Sequence, residues 1–565
     1  MTDSPSRPIR WWPAIIIAVL GAAAYVRLLL SPTENQQERT FEYLLVLVVT
    51  FFLLFLWAMF FSRLTWKRKL GIVGGLVGFG LLMGALFEIE SVSGDLVPIL
   101  AFRWAGPETL ETGSGTAAVE TSPYDFPQFL GQARDGEVLG VTLARDWQTN
   151  PPREVWRRQV GDSCSGFAVV GNAAVTFEQR ETSDGHEQVV VRHDLETGDV
   201  VWTHALPGSF ETVIGGNGPR STPTIHGGKV FAFGPLGTLR ALDLASGSLL
   251  WQRDVAGEND VTRPEWGFAS SPLVVESETG AHVVVSIGAS DASLLAYDAA
   301  TGEPVWQAGE DRVGYSSPVL RTLAGVEQII IFNGASVAGH DPQTGGLLWS
   351  YPWSGDQPNV AAPMVLGEDK LLVSSGYGIG SELLQFTPPA QAMPPGTSQE
   401  ASEDPGQEPG QDPSQDASQD AGTDSESDPA QVAEASAQDG GEWQVAQVWR
   451  SPRLKAKFTN PVQFEGHVYG LDDGVMTCLD PSDGSRCWKR GRYGHGQSLL
   501  VGDLIIVQAE AGEVKLLEAT PEEFRELGTI DALDGKSWNP PALSGRYLLV
   551  RNGDEAVCYE LPLAG

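Results

Sequence analysis

Hydrophobic positions fall into two regimes along the chain. Up to about residue 90 they run together, and the stretches 11–30, 42–62 and 70–88 each approach the length of a membrane span. Three such runs in succession predict three transmembrane helices, because a soluble core seldom supplies them side by side. From about residue 124 onward the apolar runs are short, strand-sized and divided by Gly, Pro and Asp. That pattern predicts many short strands joined by tight turns.

The turns repeat as one phrase. Asp298-Ala-Ala-Thr-Gly-Glu-Pro-Val-Trp306 returns as Asp194…Gly198…Trp202, Asp243…Gly247…Trp251, Asp341…Gly345…Trp349 and Asp480…Gly484…Trp488. Asp or Pro opens the turn, Gly takes the positive φ, and a short apolar strand carries the Trp. Trp202, Trp251, Trp306 and Trp349 fall 49, 55 and 43 residues apart, the period of a propeller blade. Trp156, Trp449 and a degenerate copy through Leu517–Thr520 and Phe524–Leu527 bring the marks to eight. The expected fold is therefore all-β: an eight-bladed β-propeller over about 124–565, behind a three-helix membrane anchor at 1–90. Gly serves the turn and Trp packs between blades, so these residues are architectural and poor candidates for chemistry.

Two segments stand outside that scheme. Residues 91–123 are polar with Gly, Ser and Thr, and are expected to form a flexible linker. Residues 388–442 are rich in Pro, Gln, Ser, Asp and Glu and hold no Lys or Arg. Such a stretch buries too little apolar surface to order itself, so it is expected as a disordered insert within one blade.

Charge sets the surroundings. The net charge of −35 repels phosphate backbones and excludes nucleic acid as a natural partner. Arg7 and Arg10 precede the first span, and Arg63, Lys67, Arg68 and Lys69 lie between the second and third, so both segments belong on the cytoplasmic side. Three crossings then put everything beyond residue 90 outside the cytoplasm, which in a cell with two membranes is the periplasmic side of the inner membrane. The first run could also be a signal peptide, but it lacks a clear small-residue cleavage site and two more spans follow. Cys478 and Cys487 flank one hairpin turn; an oxidising compartment would permit a cross-strand disulfide, and two small apolar strand residues would read the same way. Cys164 and Cys558 complete the set, with no metal-site spacing.

The Asp-x-x-Thr-Gly-x-x-x-Trp phrases resemble the repeats of pyrroloquinoline-quinone (PQQ) propellers, the group that holds quinoprotein dehydrogenases and BamB-like proteins. Asp125-Phe-Pro-Gln-Phe-Leu-Gly131…Arg134-Asp-Gly136 and Trp538-Asn-Pro…Cys558-Tyr-Glu-Leu-Pro562 are similar to the ends of the BamB-like members. The resemblance covers about 124–565 and implies two functions: a non-catalytic binding or scaffold protein engaging envelope proteins or a small ligand, or a membrane-bound dehydrogenase using PQQ with calcium to oxidise an alcohol or sugar. For the dehydrogenases it implies a catalytic Asp, acidic and amide metal ligands and often a pair of adjacent cysteines. No adjacent pair exists in this chain. The nearest acidic candidates are Asp162, Glu178 and Glu265.

A propeller binds ligands on its axis, where the segment leading into each innermost strand meets one face. Those segments carry Arg220, Trp266, Tyr315, Asn359, Lys457, His495 and Trp538 at equivalent places. The recurring Ser and Pro beside them start strands and let chains crowd the axis. Seven side chains of six kinds around one mouth predict a funnel suited to a planar anion, held by Arg220 and Lys457 and stacked between Trp266 and Trp538. A solvated mouth without a ligand would show the same residues.

Overall fold

The computed structural model describes residues 9–31, 36–104, 110–278, 280–389 and 442–564. Three helices open it: α1 (Trp12–Leu30), α2 (Gln36–Leu56), prolonged by a π-helical stretch to Phe61, and α3 (Trp66–Leu86). Each is long and apolar enough to cross a membrane. None of the residues of α3 is buried by the rest of the chain, and a helix apolar all round needs an apolar surrounding.

Eight sheets follow in a ring. Blades 1 to 7 span residues 168–207, 224–254, 273–308, 319–352, 364–451, 462–492 and 497–531. Blade 8 takes three strands from 542–560 and its outermost strand from Arg153–Gln159, with Cys558 opposite Trp156. The strand of Trp156 therefore completes the last blade rather than opening the first. This shared blade closes the ring and leaves no free terminal edge. The buried pair Arg551 and Glu178, both fully excluded from solvent and 3.4 Å apart, spans the same seam between blades 8 and 1.

The repeated phrase has a physical meaning across blades. Each Trp ring lies over the turn glycine of the next blade: Trp156 on Gly198, Trp202 on Gly247, Trp251 on Gly302, Trp306 on Gly345 and Trp449 on Gly484. A Cβ on Gly247 would stand 2.5 Å from the Trp202 ring, and its φ of +70° is a second reason for glycine. Several indoles also donate a hydrogen bond into that turn, as Trp202 Nε1 does to the Leu244 carbonyl at 3.0 Å. Trp488 meets a blade 7 turn without glycine and donates to its Thr520 carbonyl at 2.9 Å, and Trp349 departs further. The turn it would meet in blade 5 is replaced by the insert, so its ring packs on Phe386 and its N–H turns back to Gln328 of its own blade. In blade 7 the Trp position holds Gly528, and Trp147 from the N-terminal segment packs over it.

Within the segment expected as a linker, residues 91–104 and 110–123 are described and make defined contacts. β1 (Phe87–Val92) and β2 (Pro98–Phe102) pair as an antiparallel hairpin directly after α3. Further on, the Gly113 carbonyl accepts from Thr203 N and the Ala117 carbonyl from Arg192, which lays this chain along blade 1. Gly113 approaches too closely for a side chain, since a Cβ would meet the Val201 carbonyl at 2.6 Å. Almost all of the 388–442 insert lies outside the described residues.

Candidate functional site

The segments leading into the eight innermost strands enclose an axial chamber of about 150 Å³. Its floor is made by the segment before blade 1. Phe126 pairs with Val169, and Arg134, buried without a carboxylate, bonds Gln128 and the carbonyls of Ser271, Pro272 and Pro318 from blades 3 and 4. Desolvation pulls the pKa of that guanidinium down to about 9. Phe129 from the same segment lines the base of the chamber.

Four of the seven expected residues line the wall: Arg220, Trp266, Tyr315 and Trp538. Trp266 and Tyr315 stand 5.3 Å apart, and Phe458 and Trp538 4.8 Å apart, as tilted ring pairs. The Arg220 cation is already engaged. Its terminal nitrogens donate to the carbonyls of Gly215, Gly216 and Gly218, and it lies 4.4 Å over the Phe210 ring, so it fastens the 212–218 loop. Burial lowers its pKa.

Asn359, Lys457 and His495 stand apart from the chamber. The buried Asn359 amide donates to the carbonyls of Asn333 and Gly334, bracing neighbouring blades. Lys457 and His495 are covered by the tip of the β1–β2 hairpin. Lys457 Nζ donates to the Gly94 carbonyl at 2.8 Å and lies 4.9 Å from the Tyr377 ring centroid. Burial lowers the Lys457 pKa to about 8. His495 sits 3.5 Å from Asp95, which Arg492 also approaches. Burial alone would raise the Asp95 pKa, but the bond from His495 and the surrounding positive charges outweigh it and hold the carboxyl below its ordinary value. Glu510 gathers the Gly94 N–H, the His495 N–H and Trp538 Nε1. Gln37, at the start of α2, also donates to the Gly94 carbonyl. The hairpin, and with it the end of α3, is therefore docked on the rim of the chamber mouth.

Sequence reasoning missed several lining residues. Phe458 and Gln497 lie one and two residues beyond chosen positions, Lys457 and His495, along the same lead-in segments. Tyr377 carried a signal of its own, lying between Gly376 and Gly378 in the hairpin turn of blade 5. It holds a left-handed φ of +58°, an uncommon conformation for a bulky residue. Ile214 comes from the loop that Arg220 holds.

The chamber does not fit PQQ with calcium. Calcium asks for several oxygen ligands including carboxylate, and among the described residues the lining contains no Asp or Glu. Glu178 is committed to Arg180 and Arg551 between blades, Asp162 accepts from Asn217 in a side recess, and Glu265 is exposed. Among the described residues no group of three His, Cys, Asp or Glu could hold a metal ion. Cys478 and Cys487 are free thiols. Cys478 faces Trp488 across the hairpin, with Cys487 as the extra residue of a bulge. Burial, followed by the adjacent Cys487 thiol, raises the Cys478 pKa.

The sequence profile of the family described as outer membrane protein assembly factor BamB matches residues 147–266 and 186–441, together more than half of the chain. A 1-butanol dehydrogenase (cytochrome c) of Thauera butanivorans is 26% identical over 236 residues, 40% of this chain, which spans about a third (32%) of that relative's length. Among solved structures, the quinohemoprotein alcohol dehydrogenase of Comamonas testosteroni superposes with a TM-score of 0.51 at 12% identity, over 78% of this chain and 81% of its own. A europium-containing methanol dehydrogenase superposes with a TM-score of 0.51 at 11% identity, over 78% and 98%. At such identities the structural likeness concerns the fold alone.

Proposed function

The chain belongs to the family of the outer membrane protein assembly factor BamB, and from that premise we propose that it is a membrane-anchored binding or scaffold protein of the bacterial envelope. In this reading the helices sit in the inner membrane, the propeller faces the periplasm, and the axial mouth with its rim engages an envelope protein or a small ligand. The observation that carries it is the make-up of the chamber: aromatic walls, no carboxylate among the described residues, and a rim clamped to the hairpin that leaves α3. Those features serve holding and positioning. They supply neither a metal ligand set nor a base at the axis.

The dehydrogenase relative favours a second reading, oxidation of an alcohol with PQQ. The two separate in one experiment. Purified full-length protein given PQQ and calcium should show no cofactor-dependent dye reduction across alcohols and sugars. Sustained turnover would sink the binding reading in favour of the enzyme.

Topology is tested independently. A reporter active only outside the cytoplasm should be active when fused after Gly565 and silent when placed in the 63–69 loop, because the basic residues of that loop resist translocation. The opposite pattern would invert the anchor and move the propeller to the cytoplasm.

A further inference from the structure

The axial mouth opens beside the hairpin that continues α3. α3 passes into β1 without an intervening loop, and the hairpin tip it carries sits on Lys457, His495 and Glu510 at the rim. The surface around it is apolar. Ile89, Leu100 and Phe102 of the hairpin are exposed, and so are Val213 and Ile214, at 52% and 49%, on the loop that Arg220 holds at the mouth. Exposed apolar residues continuous with a membrane-spanning helix meet an apolar surrounding at the bilayer interface.

Behind that mouth lies a chamber with little free charge. Arg220 is bonded to three backbone carbonyls, Lys457 is held by the Gly94 carbonyl, and no carboxylate among the described residues lines the wall. An anion entering would find its cations already satisfied. A flat apolar ring would find Trp266, Tyr315, Tyr377, Phe458 and Trp538 around it and Phe129 beneath. A cavity of about 150 Å³ holds a benzene-sized ring. Polar groups there are few: the buried Trp266 Nε1 and Gln497 Oε1, which have no hydrogen-bond partner among the described residues, and the Tyr377 hydroxyl, on a backbone held at φ +58°. Strained conformations of this kind persist where the fold holds a side chain in one place.

We propose that the chamber takes the ring of an uncharged, oxygen-bearing lipophile, such as an alkylphenol, that enters from the bilayer, with Tyr377 as the residue that recognises its oxygen. This deepens the binding reading above and rests on it. The ring stacks among the aromatic side chains, its oxygen meets the Tyr377 hydroxyl, and the alkyl chain leaves through the mouth past Ile214 toward the membrane.

The test uses the full chain in nanodiscs, titrated calorimetrically with 4-hexylphenol, hexylbenzene and 4-hexylbenzoate against empty nanodiscs. 4-Hexylphenol should bind once per chain and more tightly than the other two. Tyr377→Phe should weaken it about five- to tenfold and leave hexylbenzene unchanged, as loss of one hydrogen bond requires. Val360→Trp, which fills the chamber from its wall, should abolish binding of both. Tighter binding of 4-hexylbenzoate that depends on Arg220 would overturn the proposal in favour of an anion site while leaving the binding function intact. Binding of no probe above the blank, or phenol binding unaffected by both substitutions, would overturn it as well. Failure of the binding reading itself is read elsewhere, in PQQ-dependent dye reduction.

Discussion

Trp202→Ala should lower the unfolding free energy of the full chain by about 3–5 kcal/mol, the range for deleting a large buried aromatic side chain. Trp202 is 1% exposed, covers Gly247 of the next blade and donates to the Leu244 carbonyl. Truncation removes the ring, leaves a cavity between blades 1 and 2 and strips a buried carbonyl of its partner. Leu347→Ala, on the outer edge of blade 4 at 56% exposure, should cost less than about 0.5 kcal/mol. Denaturant titration of both variants in one detergent gives the comparison. Similar losses at the two sites would mean that the repeated tryptophans do not lock the ring.

Arg551→Met should cost about 3–5 kcal/mol, because it leaves a buried carboxylate short of a partner. Arg551 bonds Thr176 Oγ1 at 2.8 Å and the Gly161 carbonyl at 2.6 Å besides facing Glu178. All three partners belong to the chain approaching or forming blade 1, so one side chain ties the last blade to the first. Glu178 keeps Arg180 at 2.7 Å, which softens the loss without removing it. Combining Arg551→Met with Glu178→Gln should cost less than the two single changes together, since the stranded charge is then gone. Strict additivity would show that the pair is not coupled and that the seam is held by the shared blade alone.

The ring was legible because its signal is local. A hairpin phrase that fits inside nine residues survives in sequence, and Trp306 with Gly345 shows why both ends of the phrase recur: one residue covers the other across a blade boundary. Blade membership was less legible. Trp156 carries the right mark, but sequence order cannot tell that its strand returns to Cys558 some 400 residues later. Gly528 hides the eighth mark because the missing indole comes from Trp147 in another segment.

The site shows the same division. Of the residues chosen for lying next to a Ser/Pro lead-in, Arg220, Trp266, Tyr315 and Trp538 line the chamber. Position alone could not say what each polar group is bonded to. Arg220 looked like a free cation and is held by the carbonyls of its own loop; Asn359 looked like a ligand and braces blades. Lys457 and His495 are covered by Gly94 and Asp95, more than 350 residues upstream, in a stretch whose Gly and Ser content suggested a tether. The alternation of Phe87-Glu-Ile-Glu-Ser-Val92 is strand-like, but it abuts the third apolar run and was absorbed into its end.

Whether the chamber mouth lies against the membrane can be measured by lipid quenching. In a Cys164→Ser, Cys487→Ser background, a fluorophore is placed at Ile214→Cys beside the mouth or at Gln463→Cys, an exposed residue in the recess beyond the Arg134 floor. The full chain is then reconstituted in vesicles carrying headgroup-region spin-labelled lipid. Strong quenching at 214 with little at 463 is the expected result, because the hairpin of α3 docks on the 214 side of the ring. Equal quenching at the two sites, or stronger quenching at 463, would turn the mouth away from the bilayer and contradict a membrane-facing binding propeller.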